Sequence, residues 1–443
     1  MTPPRLDLAD LVRRSQRLAL GSAQGKALLG GAPAGDGVLR EVTGFGGNPG
    51  RLRMLAFVPE GLPPGAPLVV ALHGCTQTAG DYDRGTGWSI LAARQGFALL
   101  LPEQRQANNP NRCFNWFEPA HTRRDQGEAA TIRQMVAHLV ARHRLDPRRI
   151  FVTGLSAGGA MASVMLATYP EVFAAGAILA GLPYGAGRSM SEAFEAMATG
   201  RPRPARDWGS LVRAASPHPG PWPRVSVWQG EADTTVRPAN AEEILKQWRD
   251  LHGLTGVPLA GEARSPAHRH RLWRGPDGLP LLEHHAVTGM AHGVPIAPRH
   301  GDAPLGQAGP YMLDVGLSST EAIAAFFGLG PEVQPTPQPS APGWLDRIIA
   351  VGRDGGARVE QTRSVPGPVH APLRQAAKPD REETAADPAA PTPRSASAWL
   401  DRMALTRRAE TGKPPPDMPD AGGGFDPGRI IRRALKAAGL LER

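Results

Sequence analysis

Apolar positions fall into short continuous runs that alternate with stretches of longer period. The runs at residues 67–73, 97–102, 149–153, 175–180 and 224–229 are rich in Val, Leu, Ile and Ala and end at Gly, Pro or polar residues. That is the signature of strands buried on both faces. Between them lie segments of helical character. Residues 88–95 end at Gly96. Residues 125–144 carry Ile132, Met135, Val136, Leu139 and Val140 on one stripe, and 160–169, 239–251 and 319–327 are also expected to be helical. Residues 38–45 and 51–58 read as an opening antiparallel pair. Residues 269–274 and 279–287 read as a hairpin closed by Pro276-Asp277-Gly278. Buried strands alternating with helices predict an α/β fold, a doubly wound, mostly parallel sheet with helices on both faces. Chemistry in such sheets sits beyond the C-terminal strand ends, which places it in the loops after His73, Thr153, Gln229 and Thr288.

The pattern also divides the chain. Residues 1–37 hold one amphipathic segment (6–20), read as a surface helix, and a Gly/Ala/Pro linker. Residues 38–330 form the main domain. Within it, residues 181–223 are a Gly/Pro/Arg-rich insertion with helical patches at 190–197 and 211–215, read either as a cap over the site or as a surface excursion. Residues 331–443 are Pro- and Ala-rich with few large apolar residues, the composition of a disordered tail. Two similar islands interrupt it, Gly-Trp344-Leu-Asp-Arg347 and Ala-Trp399-Leu-Asp-Arg402, and a basic amphipathic third lies near 429–436. They read as a docking motif for a partner or hydrophobic surface, against accidental similarity.

Composition narrows the partners. The formal charge is +9, but arginines are scattered and aromatics make up only 5%, so nucleic-acid binding is excluded as the leading reading. No apolar run reaches the roughly 18 residues of a membrane span. The first residues carry acids and no apolar core of signal-peptide length, so a cytoplasmic chain is expected. The 2 cysteines, Cys75 and Cys113, are too few for a structural zinc site of the usual kind and are either bonded or buried thiols.

The chemistry concentrates at Gly154-Leu-Ser156-Ala-Gly158. A β-branched run precedes it and an Ala/Met/Leu segment follows. Strand, tight turn and helix together make Gly-x-Ser-x-Gly a nucleophile elbow. A phosphate loop is disfavoured because no Gly-Lys-Ser/Thr follows. A serine nucleophile needs a base, and the base needs an acid. Asp233 follows the 224–229 strand and is the chosen acid, with Glu231 the alternate. His292 lies in the Gly-flanked loop after the 279–287 strand and is the chosen base. The oxyanion needs two backbone donors: Ala157 N–H at the helix start, and Cys75 N–H in the Gly74-Cys75-Thr76 loop. Cys75 as nucleophile lacks an elbow. His284 and His285 lie inside a strand. His268 and His270 alternate on one face, but with no third ligand evident they read as part of a solvated basic strand. No metal or organic cofactor is needed.

In this order, His73-Gly-Cys75-Thr-Gln, Asn115-Trp-Phe, Gly-Leu-Ser156-Ala-Gly-Gly, Gly-Glu-Ala-Asp233-Thr-Thr-Val and Gly-Met-Ala-His292-Gly resemble the polyhydroxybutyrate depolymerase family of α/β-hydrolase esterases. The block Leu313-Asp-Val-Gly-Leu-Ser-Ser-Thr320 is similar too, so the resemblance spans about residues 39–329. It implies a serine esterase with Ser156, Asp233 and His292 as triad and Cys75 at the oxyanion hole. It also implies that Cys75 and Cys113 lie close enough to bond. The implied substrates are hydroxyalkanoate oligomers or polymer, or else short-chain, acetylxylan or feruloyl esters. Many relatives are secreted, which makes an extracellular location the alternative. Polymer-degrading relatives often carry a β-rich binding domain. The tail here is not β-rich, which leaves its islands as the candidate contact with a polymer granule. A non-catalytic binding protein acting through the tail is the alternative of another class.

Overall fold

A computed structural model describes residues 38–298 and 304–330. The amphipathic 1–37 segment, the 331–443 tail and His300 lie outside the described residues.

Twelve strands and nine helices occur among the described residues. The strands are β1 (Arg40–Val42), β2 (Arg53–Phe57), β3 (Leu68–Leu72), β4 (Ala98–Glu103), β5 (Ile150–Leu155), β6 (Ala175–Leu179), β7 (Arg224–Gly230), β8 (Gly261–Arg264), β9 (His268–Arg274), β10 (Pro280–Val287), β11 (Val294–Ile296) and β12 (Met312–Asp314). The helices are α1 (Ala79–Thr86), α2 (Trp88–Gln95), α3 (Pro119–Thr122), α4 (Gly127–His143), α5 (Ala157–Thr168), α6 (Met190–Thr199), α7 (Ala205–Arg213), α8 (Ala239–Leu251) and α9 (Ser319–Phe327). Ten strands form one sheet in the order β1-β2-β4-β3-β5-β6-β7-β10-β9-β8, and β11 pairs with β12. Pairings from β4 to β10 are parallel. Antiparallel strands flank them on both sides.

The continuous apolar runs explain the parallel centre. In β3, Leu68, Val70 and Leu72 enter one core with α4, α5, α7 and α8. Val69 and Ala71 enter the opposite core with α1, α2 and α9. Each strand therefore buries both faces, and helices cover both, as the run pattern predicts. α5 is buried along its whole length, which its Ala, Gly and Met content permits. The hairpin forms as expected, but β10 also pairs in parallel with β7. That second pairing carries the chain's return loop to the same end of the sheet as the other parallel strands.

Some expectations shift. The second helical patch of the 181–223 insertion, expected at 211–215, is α7 at Ala205–Arg213, because Pro204 starts the helix earlier. Both insertion helices are anchored to α8. Trp208 is fully buried and its indole N–H donates to Glu243 (2.7 Å), while Asn240 donates to the Met197 carbonyl. Short α1, β8, β11 and β12 are elements the apolar pattern does not announce.

Candidate active site

The turn after β5 sets the centre of the site. Ser156 has φ 57° and ψ −117°, a conformation that costs a non-glycine residue about 1–3 kcal/mol. Its amide is held by the Leu179 carbonyl at 2.9 Å, so β6 pins the strained residue from the side. The two glycines of the motif make the turn sterically feasible. A Cβ on Gly154 would run into the Gly158 carbonyl, and one on Gly158 would strike the carbonyls of Leu72 and His73. The close approach of α5 to β3 and β5 therefore requires glycine at both places. The Ala157 N–H opens α5, where an amide has no intrahelical acceptor. The positive end of the helix dipole faces the same point.

Asp233 lies just beyond β7 and is buried. Oδ1 accepts from the amides of Thr235 (2.8 Å) and Val236 (2.9 Å). Oδ2 accepts from Gln229 Nε2 (3.1 Å) and lies 2.7 Å from His292 Nδ1. With a carboxylate as acceptor, Nδ1 carries the proton and Nε2 is left as the free base. His292 is largely buried (9% side-chain exposure), and Tyr311 meets its ring edge-on at 6.1 Å. The loop that carries His292 is pressed against β7. Ala232 N–H donates to the Met290 carbonyl (3.0 Å), and a Cβ on Gly230 would collide with that carbonyl. The structure thus brings Asp233 and His292 into direct contact. No hydrogen bond joins the Ser156 hydroxyl to the ring among the described residues, as is common before substrate aligns the two. The alternate acid, Glu231, is exposed and its amide serves β10; it makes no bond to His292.

The loop after β3 is the second wall. Cys75 and Cys113 form a disulfide with Cα atoms 4.3 Å apart. Thr76 N–H donates to the Asn111 carbonyl at 2.6 Å. The Cys75 N–H enters no backbone hydrogen bond among the described residues. Polar residues brace this loop, some from the quoted motif blocks (His73, Gln77, Asn115) and two that no motif marked (Gln104, Glu128). Gln77 Oε1 accepts from Gly74 N–H (2.9 Å). His73 is fully buried, with Nδ1 2.8 Å from the Gly74 carbonyl and Nε2 accepting from Gln104 N–H (3.1 Å). Burial pushes its pKa down, consistent with that neutral tautomer. Gln104 also donates to Cys113 O (3.1 Å) and to Glu128 (2.6 Å). Glu128 accepts from the Asn115 amide and side chain (2.9 and 2.7 Å). Burial nevertheless drives the Glu128 carboxyl up to about 7. The repeated polar residues of His73-Gly-Cys-Thr-Gln77 and Asn115 were the signal available for this brace.

A cavity of about 440 Å³ runs from Thr76 and Gln77 past Asp81 and Arg84 to Tyr311 and Met312. It joins the Cys75 turn to the tyrosine beside His292. None of residues 181–223 lines it. The rival histidines are placed elsewhere. His268 and His270 are half-buried and stacked near His285, not solvated as expected. The cause lies on the shared face of the sheet, where both rings stack on His285 (5.1 and 4.2 Å) and His285 stacks on Trp228 of β7 (3.7 Å).

Comparison with known proteins adds the chemistry of similar chains. The family described as esterase PHB depolymerase matches residues 55–270. The chain is 46% identical over 292 residues to "Poly(3-hydroxyalkanoate) depolymerase C" of Paucimonas lemoignei, covering 66% of this chain and 70% of that one. It is 34% identical to "Acetylxylan esterase A" of Aspergillus oryzae, over 60% of this chain and 86% of the relative. It is 36% identical to "Feruloyl esterase B" of Neurospora crassa, over 50% and 79%. Among solved structures, the acetyl xylan esterase from Aspergillus awamori superimposes with a TM-score of 0.55 at 26% identity, covering 66% of this chain and 99% of that one.

Proposed function

Because the chain belongs to the PHB depolymerase family of esterases and is a carboxylic ester hydrolase of the α/β-hydrolase fold, we propose that Ser156 is its nucleophile, His292 its general base and Asp233 the acid that orients the imidazole. The observation that carries this reading is the 2.7 Å contact between His292 Nδ1 and Asp233 Oδ2 at the strand ends that also present the strained Ser156 turn. The serine oxygen attacks the ester carbonyl as Nε2 takes its proton. The carbonyl oxygen becomes an oxyanion, received by the Cys75 and Ala157 N–H groups. The tetrahedral intermediate collapses, the leaving alcohol takes the proton from His292, and an acyl-enzyme remains. Water, deprotonated by the same ring, releases the acid and restores Ser156.

The proposed substrate is a hydroxyalkanoate ester, oligomer or polymer, supported by the 46% identity to a poly(3-hydroxyalkanoate) depolymerase. Acetylxylan or feruloyl esters are the second reading, supported by the relatives that act on them. A panel of p-nitrophenyl butyrate, hydroxybutyrate oligomers, acetylated xylan and methyl ferulate decides between them. Ser156→Ala serves as the inactive control in each case.

No helix among the described residues is long and apolar enough to cross a membrane. The Cys75–Cys113 bond would persist in an oxidising compartment, which supports the extracellular alternative over the cytoplasmic expectation. The islands around Trp344 and Trp399 are the proposed contact with a granule surface.

A further inference from the structure

β9 and β10 place four polar side chains on one face of the sheet near its edge. His270 stands directly opposite His285 in the antiparallel register. Glu283 and His268 lie two residues along from these on their own strands, so all four project to the same side. On the adjoining strand β7, Ser226 pairs with Glu283 and Trp228 with His285. The register alone therefore builds a cluster that neither strand discloses by itself.

His270 Nε2 lies 3.0 Å from Glu283 Oε2, and His285 Nε2 lies 3.1 Å from Glu283 Oε1. One donor atom from each of these three side chains falls within 4.8 Å of the others. Tetrahedral zinc, with bonds of about 2.0–2.1 Å, holds its ligand atoms roughly 3.3 Å apart, so small rotamer adjustments suffice. Glu283 and His285 are nine-tenths or more buried, at 9% and 7% side-chain exposure, while His270 keeps 29%. His285 Nε2 is buried and makes no hydrogen bond, despite its nearness to the carboxylate. A buried ring nitrogen held beside a carboxylate without hydrogen-bond geometry gains little from it, and a metal ion between the two is a partner of the right kind.

The surroundings fit metal ligands. His285 Nδ1 lies 3.0 Å from His268 Nε2. With His285 Nδ1–H as donor, its Nε2 is left deprotonated toward Glu283. Ser226 Oγ donates to Glu283 Oε1 at 2.7 Å, and Trp228 Nε1 donates to Ser226 Oγ at 2.8 Å. Metal-ligating imidazoles and carboxylates are generally oriented by such outer partners. The imidazoles are near-parallel, with centroids 4.2 Å apart for His270 and His285 and 5.1 Å apart for His268 and His285.

We propose that His270, Glu283 and His285 bind one divalent transition-metal ion of the zinc class, which ties β9 to β10 beneath the loop that carries His292. Two imidazoles and a carboxylate select such an ion over calcium or magnesium. A water molecule completes the coordination on the side where His270 is exposed. The ion is structural. It steadies the edge of the sheet where Trp228 precedes Gln229, the residue that holds Asp233.

The test uses untagged full-length protein, stripped with chelator and desalted, then titrated with zinc chloride by calorimetry. Thermal unfolding is followed in parallel, and the same is done for His270→Ala, Glu283→Gln and Ser156→Ala. His270 is partly exposed and Glu283→Gln keeps its shape, and far-UV circular dichroism checks that both fold. The wild type and Ser156→Ala are expected to take up one equivalent and gain a few degrees in melting temperature at saturating zinc. His270→Ala and Glu283→Gln are expected to lose at least tenfold in affinity and to lose the shift. Equal zinc binding by wild type and both cluster variants, or no uptake by the stripped wild type, would overturn the proposal. Because uptake and melting are read without turnover, and Ser156→Ala is expected to bind normally, the outcome stands apart from the triad assignment.

Discussion

Ser156 occupies backbone space that glycine fills without strain, and the chain keeps a serine there. Activity and stability should therefore separate at this residue. Ser156→Gly is expected to stabilise the fold by about 1 kcal/mol, read as a higher urea midpoint, while abolishing ester hydrolysis. Asp233→Asn tests the other end of the relay. The amide would favour the wrong imidazole tautomer, so kcat for p-nitrophenyl butyrate should fall by about 10⁴-fold with little change in KM. A fall in binding alone would instead assign Asp233 a role in shaping the pocket. These residues could be picked out because each sits at a strand end in a characteristic local sequence. Gln229, Gln104 and Glu128 could not. Their roles depend on partners such as Asp233, Cys113 and Asn115 reached only through the fold, and an isolated Gln or Glu in a sequence carries no sign of burial.

The element most exposed to perturbation is the loop after β3. The Cys75–Cys113 bond closes 38 residues, for which the chain-entropy relation gives about 4 kcal/mol. Cys113→Ser should lower stability by about 2–4 kcal/mol and reduce kcat more than it raises KM, because the Cys75 amide would lose its fixed position. Behind the loop, burial of Glu128 outweighs the hydrogen bonds from Asn115 and Gln104 and lifts its pKa from an ordinary 4.5 to about 7. The native state then holds a proton that the unfolded chain has released. The contribution is fully present below about pH 4.5 and is lost as pH rises to about 7, by roughly 3 kcal/mol at most. Glu128→Gln should flatten that slope, measured as urea midpoints at pH 5 and pH 8. Helices with clear ends were readable from sequence. α2, α8 and α9 begin and end where the apolar period and terminal residues place them, and α2 and α9 stop at Gly96 and Gly328 in the left-handed region. α1 escaped because its residues, Ala-Gly-Asp-Tyr-Asp-Arg-Gly-Thr, are poor helix formers by pattern. The Thr78 capping box and burial of Tyr82 and Asp83 make it helical. β8 is nearly all exposed and has no apolar period to show.

At the scale of the molecule, the sheet order was inferable only in part. The alternation of runs and helices fixed a parallel centre. That β10 would close against β7, and so bring the His292 loop beside Asp233, depends on a pairing between residues 57 positions apart. The antiparallel β9–β10 register assembles the His270–Glu283–His285 cluster and β7 brings Trp228 against His285; the two histidines of β9 looked like solvated charge because nothing on their own strand shows what faces them. The proposed granule contact assigns residues 331–443 a part in recognising the substrate. Removing them should leave kcat/KM for p-nitrophenyl butyrate within about twofold, since the proposed triad and oxyanion donors all fall between residues 75 and 292, and should lower hydrolysis of suspended polyhydroxybutyrate granules by about tenfold or more, as loss of a second contact does. Equal rates on granules with and without the tail would remove it from substrate recognition.

The central claim is that one strained serine at the end of β5 is the nucleophile. Its most direct test is to treat the protein with a fluorophosphonate and map the modified residue by peptide mass spectrometry, while following p-nitrophenyl butyrate hydrolysis on the same sample. The triad assignment predicts a single adduct on the peptide containing Ser156, formed in step with the loss of activity and absent in Ser156→Ala. Inactivation with the adduct on another residue, or full activity after Ser156 is modified, would contradict it.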